Sequence, residues 1–396
     1  SDAITWNAAV SSCEKGGQWV RALDVLRQMK EKRLAAGTIA HSAAVSACER
    51  AGQWAAALSV LAAMLEEQVE ADSIAYYATI EACEACGQWA LTLDLLEAML
   101  ESQVGQSITE RKRYVRPYVH RYQAGGPADC LKHLVLVALL EHMVGGEEGF
   151  TYVDTHAGAG LYDLHSREAA HFDNAADGAA RLLDATVGAG SAGLPGLLAE
   201  AIRRCNAPAA PGARLQRYPG SPALALQWLR PGDRALLFES APSVAQELLS
   251  CREALDPSGG LDVEVFQRDS YRWLVAHSDA LPTGPGLVLI DPPYDSVDSY
   301  ATWNLFVLRH LHSLWPSSCI ALWYPHLDAA QTASLHERAR QLQVGDVLVA
   351  ELTLERPHER QLAGSGMLLV NAPLEAEALL RPALPALGRA LAAGGG

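Results

Sequence analysis

Residues 286–294 read Gly-Leu-Val-Leu-Ile-Asp-Pro-Pro-Tyr. An apolar run with no polar alternation suits a strand covered on both faces, as in a parallel sheet flanked by helices. The strand must stop at the prolines, which lack an N–H and fix φ. The residue before each proline is held extended. Asp291 therefore stands at the carboxyl end of a parallel strand, where open α/β sheets bind their ligands. Asp291 and the Pro292 carbonyl offer two hydrogen-bond acceptors, and Tyr294 offers a flat face. Two acceptors beside an aromatic plate suit a planar ring bearing an exocyclic amine.

Other runs repeat this design. Phe150–Asp154 leads into Thr155-His156-Ala157-Gly158-Ala159-Gly160, a glycine turn of the kind that lets a cofactor approach the backbone. Arg234–Phe238 ends at Glu239, Val263–Gln267 at Asp269 and Ser270, and Ile320–Trp323 at Tyr324-Pro325. Late strands are expected at Asp346–Glu355 and Gly366–Asn371, with helical stretches between several of the runs. The pattern is that of a doubly wound, Rossmann-like α/β sheet. In such a sheet Glu239 is placed to hold ribose hydroxyls and Asp269 to accept an adenine amine. Each acid alone also reads as an exposed loop residue. No Gly-x-x-x-x-Gly-Lys phosphate cradle is present, so a nucleoside cofactor without pyrophosphate fits best, namely S-adenosylmethionine. Residues 161–216, rich in alanine, read as a small helical insertion. Arg217–Pro222 reads as a rigid loop able to cover the cofactor, and Leu374–Ala393 as a helix broken near Pro382 and Pro385.

The first hundred residues are organised differently. Ile4, Ile39 and Ile74 are 35 residues apart, as are Trp19, Trp54 and Trp89, each within a Gly-Gln-Trp, and so are Cys13, Cys48 and Cys83. A fixed period of this length marks an array of helix–turn–helix units that bury a face on one another. An all-α solenoid is expected over 1–109, a basic arm over 110–133, and the sheet domain over 134–396. Cys83 and Cys86 have no second Cys/His pair nearby, so no metal is expected.

The net charge of −15 argues against broad nucleic-acid affinity. Residues 1–109 hold seven Lys/Arg against fourteen Asp/Glu. From Arg111 to Lys132 the balance reverses, and Tyr114, Tyr118, His120, Tyr122 and His133 are interleaved. Basic residues among aromatics suit phosphate contact and base stacking; a solvated linker is the plainer reading. No apolar run reaches the roughly eighteen residues of a membrane-spanning helix, and a membrane partner is not expected. Eight scattered cysteines suggest a reducing compartment.

The array, with its Ile-Thr-Trp-Asn opening at Ile4–Asn7, resembles the pentatricopeptide repeat family. The 34-residue tetratricopeptide unit is the rival. The resemblance implies one RNA base per repeat, read by Asn7 with Gly37, Ser42 with Asp72, and Tyr77 with Ser107. Only Ser42 with Asp72 forms a regular pair; a scaffold role stays open. The motifs Asp154–Gly160, Tyr218–Pro222, Leu289–Tyr294, Leu322–Pro325 and Gly364–Met367 together resemble the large-subunit J type of ribosomal RNA adenine-N6 methyltransferase, over residues 114–373. That resemblance implies a class I methyltransferase fold, S-adenosylmethionine as methyl donor, and ribosomal RNA, deproteinised or in assembly, as partner. It carries cofactor contacts onto His133, His156, Gly158, Ser221, Glu239, Asp269, Ser270 and Asp291. Catalysis falls on Asp291, Pro292 and Tyr294, and substrate contact on Tyr118, His120 and Tyr122. The family's His-Ala-Gly-Asn-His-Ala-Asp run is Gln123-Ala124-Gly125-Gly126-Pro127-Ala128-Asp129 here, a change that bears on substrate fit. DNA adenine methylation and a non-catalytic RNA-binding adaptor are the alternatives. A monomer is expected. An RNA-reading array joined to a bacterial-type enzyme suggests a mitochondrion or plastid of a eukaryote, with the cytoplasm as the alternative.

Overall fold

The computed structural model describes residues 3–86 apart from 33 and 35, then 88, 91–92, 94–95 and 98. It further describes 123–392 apart from 167–168, 170–172, 188–192, 208–214, 278–280, 293–296, 327–328, 343, 355–361 and 363. The chain divides into two compact units, Ser1–Arg116 and Pro117–Gly396.

The first unit is a helical repeat array. Helices Ala3–Lys15, Trp19–Glu31, Thr38–Arg50, Trp54–Glu66 and Ser73–Ala85 alternate with short turns. The 35-residue period is a period of geometry. Gln18, Gln53 and Gln88 each donate a backbone N–H to the carbonyl of Cys13, Cys48 and Cys83 at 2.9 Å, closing the first helix of each unit with the same motif. Gly17 and Gly52 take φ of +63° and +65° at these turns, the left-handed conformation that favours glycine. Met29, Met64, Cys48 and Cys83 are fully buried.

The second unit is built on a seven-stranded sheet of order β5-β4-β1-β6-β7-β9-β8. Its strands are β1 Thr151–Asp154, β4 Arg234–Phe238, β5 Asp262–Phe266, β6 Gly286–Ile290, β7 Ser318–His326, β8 Val347–Thr353 and β9 Gly364–Val370. β5, β4, β1, β6 and β7 are parallel, and β9 is antiparallel to both β7 and β8. This is the expected doubly wound sheet, with chain order reversing between β1 and β6. One face, carrying Tyr152, Leu237, Leu287, Leu289, Ala321 and Trp323, forms a single core with the helices Pro127–Gly145 and Leu374–Ala392. Pro127–Gly145 is buried on nearly every side, and each of its enclosed leucines contributes roughly 1.5–3 kcal/mol. The expected boundary at 133/134 falls inside this unbroken helix.

Several details depart from the sequence reading. Residues 161–216 are not purely helical. Strands β2 Leu161–Asp163 and β3 Arg217–Pro219 pair antiparallel and close the insertion, whose helical part, among the described residues, includes a π-turn Ala176–Ala180 and helices Arg181–Ala185 and Leu194–Arg204. Arg217–Pro222 is not a covering loop: Tyr218 is fully buried, and Ser221 starts a helix with Pro222 in its first turn, where a missing N–H costs nothing. Strand β7 continues past Tyr324 through Pro325 to His326, paired with β9, because β6 partners only Ser318–Leu322 and leaves that edge open. The last helix runs unbroken through Pro382 and Pro385. Both prolines are exposed, so water can satisfy the freed carbonyls while Leu380, Ala383 and Leu387 hold the other face to the core.

Candidate active site

Side chains alternate along β6, so Asp291 continues the face of Leu287 and Leu289, towards the Pro127–Gly145 helix. There it meets Lys132. The Lys132 Nζ lies 2.6 Å from Asp291 Oδ2 and 2.9 Å from Asp129 Oδ1. The Lys132 and Asp129 side chains are each 5% exposed and that of Asp291 14%. The remaining Asp129 oxygen accepts the Gly125 N–H at 3.0 Å. Lys132, counted above with the basic arm, was not expected at this strand end, yet it is buried here between two acids. The signal was two charges, Asp129 and Lys132, three residues apart in a helix with no polar face. Pro292 is buried beside Asp291. Tyr294, Tyr118, His120 and Tyr122 lie outside the described residues.

The turn after β1 forms a second cluster. Asp154 is fully buried and accepts the Tyr152 hydroxyl at 2.8 Å and the His156 N–H at 3.3 Å. Burial pushes its carboxyl up to about 6, against the opposing hydrogen bonds from Ser221 and Tyr152. Ser221 thus joins the β1 turn through Asp154. Burial pulls the His156 imidazole down to about 4, although the Asp291 and Asp269 charges oppose it. His156 Nδ1 lies 2.9 Å from the Thr155 hydroxyl, and its ring sits edge-on to Tyr271 at 5.2 Å. The Tyr271 hydroxyl donates to Asn304 at 2.5 Å. His133 is fully buried, stacked on Tyr218 with its Nδ1 2.7 Å from that hydroxyl.

Gly158 and Gly160 have φ of +63° and +75°. The close approach at these glycines is by the protein itself. A Cβ on Gly158 would lie 2.2 Å from the Tyr162 hydroxyl, and one on Gly160 2.8 Å from the Cys251 sulfur. The glycines shape the turn, so their requirement does not by itself mark cofactor approach.

The other two strand ends present acids. Glu239 Oε1 accepts the Ala241 N–H at 2.7 Å. Asp269 caps the helix Ser270–Ala276 by accepting the Arg272 N–H at 3.0 Å. In each, the second carboxylate oxygen takes no hydrogen bond among the described residues. Ser270 is buried directly behind Asp269. Acids thus stand after β4, β5 and β6, and the charges of Asp269 and Asp291 both reach His156. Among the described residues no group of three His, Cys, Asp or Glu can hold a metal ion, and no helix is long and apolar enough to cross a membrane.

In the repeat unit the structure brings Ser42 and Asp72 together: the Ser42 hydroxyl donates to Asp72 Oδ1 at 2.8 Å. The same oxygen accepts the Ala75 N–H at 2.9 Å and so caps the helix Ser73–Ala85. Gly37 ends at a helix start and supplies no side chain, and Ser107 lies outside the described residues.

The family model for ribosomal RNA large subunit methyltransferase D, RlmJ, matches residues 147–396, and the pentatricopeptide-repeat model matches residues 4–34. The ribosomal RNA large subunit methyltransferase J of Haemophilus influenzae is 33% identical over 280 residues, which is 69% of this chain and 93% of that protein. Its Escherichia coli counterpart is 30% identical over 272 residues, 68% of this chain and 91% of that one. The crystal structure of a Legionella pneumophila protein aligns with a TM-score of 0.56 at 25% identity, over 67% of this chain and 94% of that one.

Proposed function

Because the chain belongs to the RlmJ family of ribosomal RNA large subunit methyltransferases, we propose that it transfers a methyl group from S-adenosylmethionine to the N6 amine of an adenine in large-subunit ribosomal RNA. The observation that carries this reading is the Asp291-Pro292 strand end, with its carboxylate fixed by a buried lysine.

The residues present fit the cofactor. Glu239 has an oxygen to accept from a ribose diol, and Asp269 has one for an adenine amine. Asp129, Lys132 and Asp291 set two carboxylates against one ammonium, a negative balance that suits a cationic donor. When bound, S-adenosylmethionine supplies a methyl carbon activated by its sulfonium. The chain's own residues do the rest. The target base must leave its stack to reach a strand end. Lys132 engages Asp291 Oδ2, which leaves Oδ1 to accept one amine hydrogen; the Pro292 carbonyl accepts the other. Holding both hydrogens localises the nitrogen lone pair and orients it for in-line attack, so positioning supplies much of the rate. As the N–C bond forms at the expense of the methyl–sulfur bond, whose electron pair stays with sulfur, the amine sheds a proton, and Asp291 Oδ1 is placed to receive it. Tyr294 is the candidate stacking plate.

The repeats support an RNA rather than a DNA substrate, with Ser42 and Asp72 as the reading pair. Their union with a bacterial-type enzyme favours an organellar ribosome. Mapping N6-methyladenine in organellar and total RNA, with and without the protein, tests the reading. Loss of one large-subunit ribosomal site is expected. Unchanged RNA with altered DNA methylation would overturn the substrate, and no change in either would favour an adaptor.

A further inference from the structure

Asp129 lies 4% exposed in the first turn of the Pro127–Gly145 helix. A carboxylate this deep persists only where its charge is met. Its two oxygens have separate partners. One accepts the Gly125 N–H, and the other meets the Lys132 ammonium. Gly125 is itself pinned. Its carbonyl accepts the Ala179 N–H at 2.8 Å from the insertion's π-turn. Gly178 in that turn comes so close that a Cβ would lie 2.1 Å from the Gly125 oxygen. Contacts therefore run without a gap from the insertion to Gly125, Asp129, Lys132 and Asp291.

We propose that Asp129 is a positioning residue for methyl transfer, and that it acts by holding Lys132 against Asp291; the proposal rests on the adenine-methylating reading above. A lysine side chain has several rotatable bonds and an ammonium with no directional fork. Its contact with Asp291 does not by itself fix where the ammonium sits. Asp129 ties it instead to a helix that the core encloses, so Lys132 imposes the position of Asp291 Oδ2 and, through it, the direction in which Oδ1 faces. Ion pairs three residues apart on a helix are usually exposed and weak. This one is buried, and its third member ends the reacting strand. The insertion gains a role from the same chain of contacts, as the outer support of the catalytic carboxylate.

The test is a double-mutant cycle on single-turnover methyl transfer to ribosomal RNA at saturating S-adenosylmethionine, using the full chain. Asp129→Asn keeps the shape and an oxygen for Gly125 N–H but removes the charge. It should lower the transfer rate roughly tenfold. In a Lys132→Met background the same change should cost less than about twofold, because the residue through which Asp129 acts is gone. A purely structural Asp129 would cost the same in both backgrounds, and that result overturns the proposal, as does full activity of Asp129→Asn. If Asp129→Asn alone does not fold, Lys132→Met and the double variant carry the test: equal rates support the proposal, and a further loss in the double overturns it. Failure of the unaltered protein to methylate RNA would instead count against the underlying reading.

Discussion

Lys132 and Asp291 stand 159 residues apart in the chain, yet Nζ and Oδ2 are 2.6 Å apart. The contact joins the helix that leads into the sheet to the strand that ends in Asp291. Lys132 is thereby flanked by two carboxylates in a largely water-free setting. Removing one partner of such a buried set leaves uncompensated charge.

Lys132→Met should accordingly lower stability by ~3 kcal/mol, with Asp129→Asn in the same chain restoring part of the loss. Urea unfolding of the two variants and the double checks this. Equal stability of Lys132→Met and the unaltered protein would mean that the buried charges are neutralised in another way.

Two groups of the β1 turn give opposite pH dependences. Burial lowers His156 to about 4 from an ordinary value near 6.5. The unfolded chain then takes up a proton that the folded chain refuses, so stability from this group is full above pH 6.5 and lost as pH falls towards 4. Asp154 is raised to about 6 from 3.8. Its contribution is full below pH 3.8 and lost as pH rises through 6. Between pH 4 and 6 the two slopes oppose each other. His156→Gln should remove one of them, so that stability falls more steeply with rising pH across that window. Urea unfolding at pH 4.5, 5.5 and 6.5 reads the change in slope.

Gly178→Ala should destabilise the second unit by about 1–3 kcal/mol, because the added Cβ has backbone on its path, 2.1 Å from Gly125 O and 2.5 Å from Gly126 C. Gly232→Ala is the comparison. It has φ of +100° with no atom near the added Cβ, so its cost is backbone strain alone. Thermal unfolding of the two separates close packing from conformational strain.

Asp72→Ala removes a helix cap and the partner of Ser42 in one step. A loss of ~1 kcal/mol in the repeat unit is expected from the cap. Asp72→Asn retains a capping oxygen and should be nearly neutral in stability, while changing which base the repeat prefers. Chemical denaturation followed by binding to short single-stranded RNAs differing at one base measures both effects.

Much of the fold was legible because strand ends are punctuated. Acids or prolines close the runs at Asp154, Glu239, Asp269 and Asp291, and the sheet places them along its carboxyl edge. The repeats were legible because equal spacing of Ile, Cys and Trp forces equal turns. Lys132 was hidden because its partner is remote in sequence and its own charge reads as the end of the basic arm. Arg217–Pro222 misled because proline and glycine signal a loop, whereas here one proline ends a strand and the other opens a helix. Pro382 and Pro385 misled because helix breaking is a local tendency, which burial of the opposite face overrides.

The most direct measurement is single-turnover methyl transfer to large-subunit ribosomal RNA by Asp291→Ala at saturating S-adenosylmethionine, with cofactor binding followed in parallel by calorimetry. Asp291 is assigned the amine contact and the proton, so transfer should fall at least ~100-fold while the cofactor still binds. Full transfer by Asp291→Ala with bound cofactor would contradict the account.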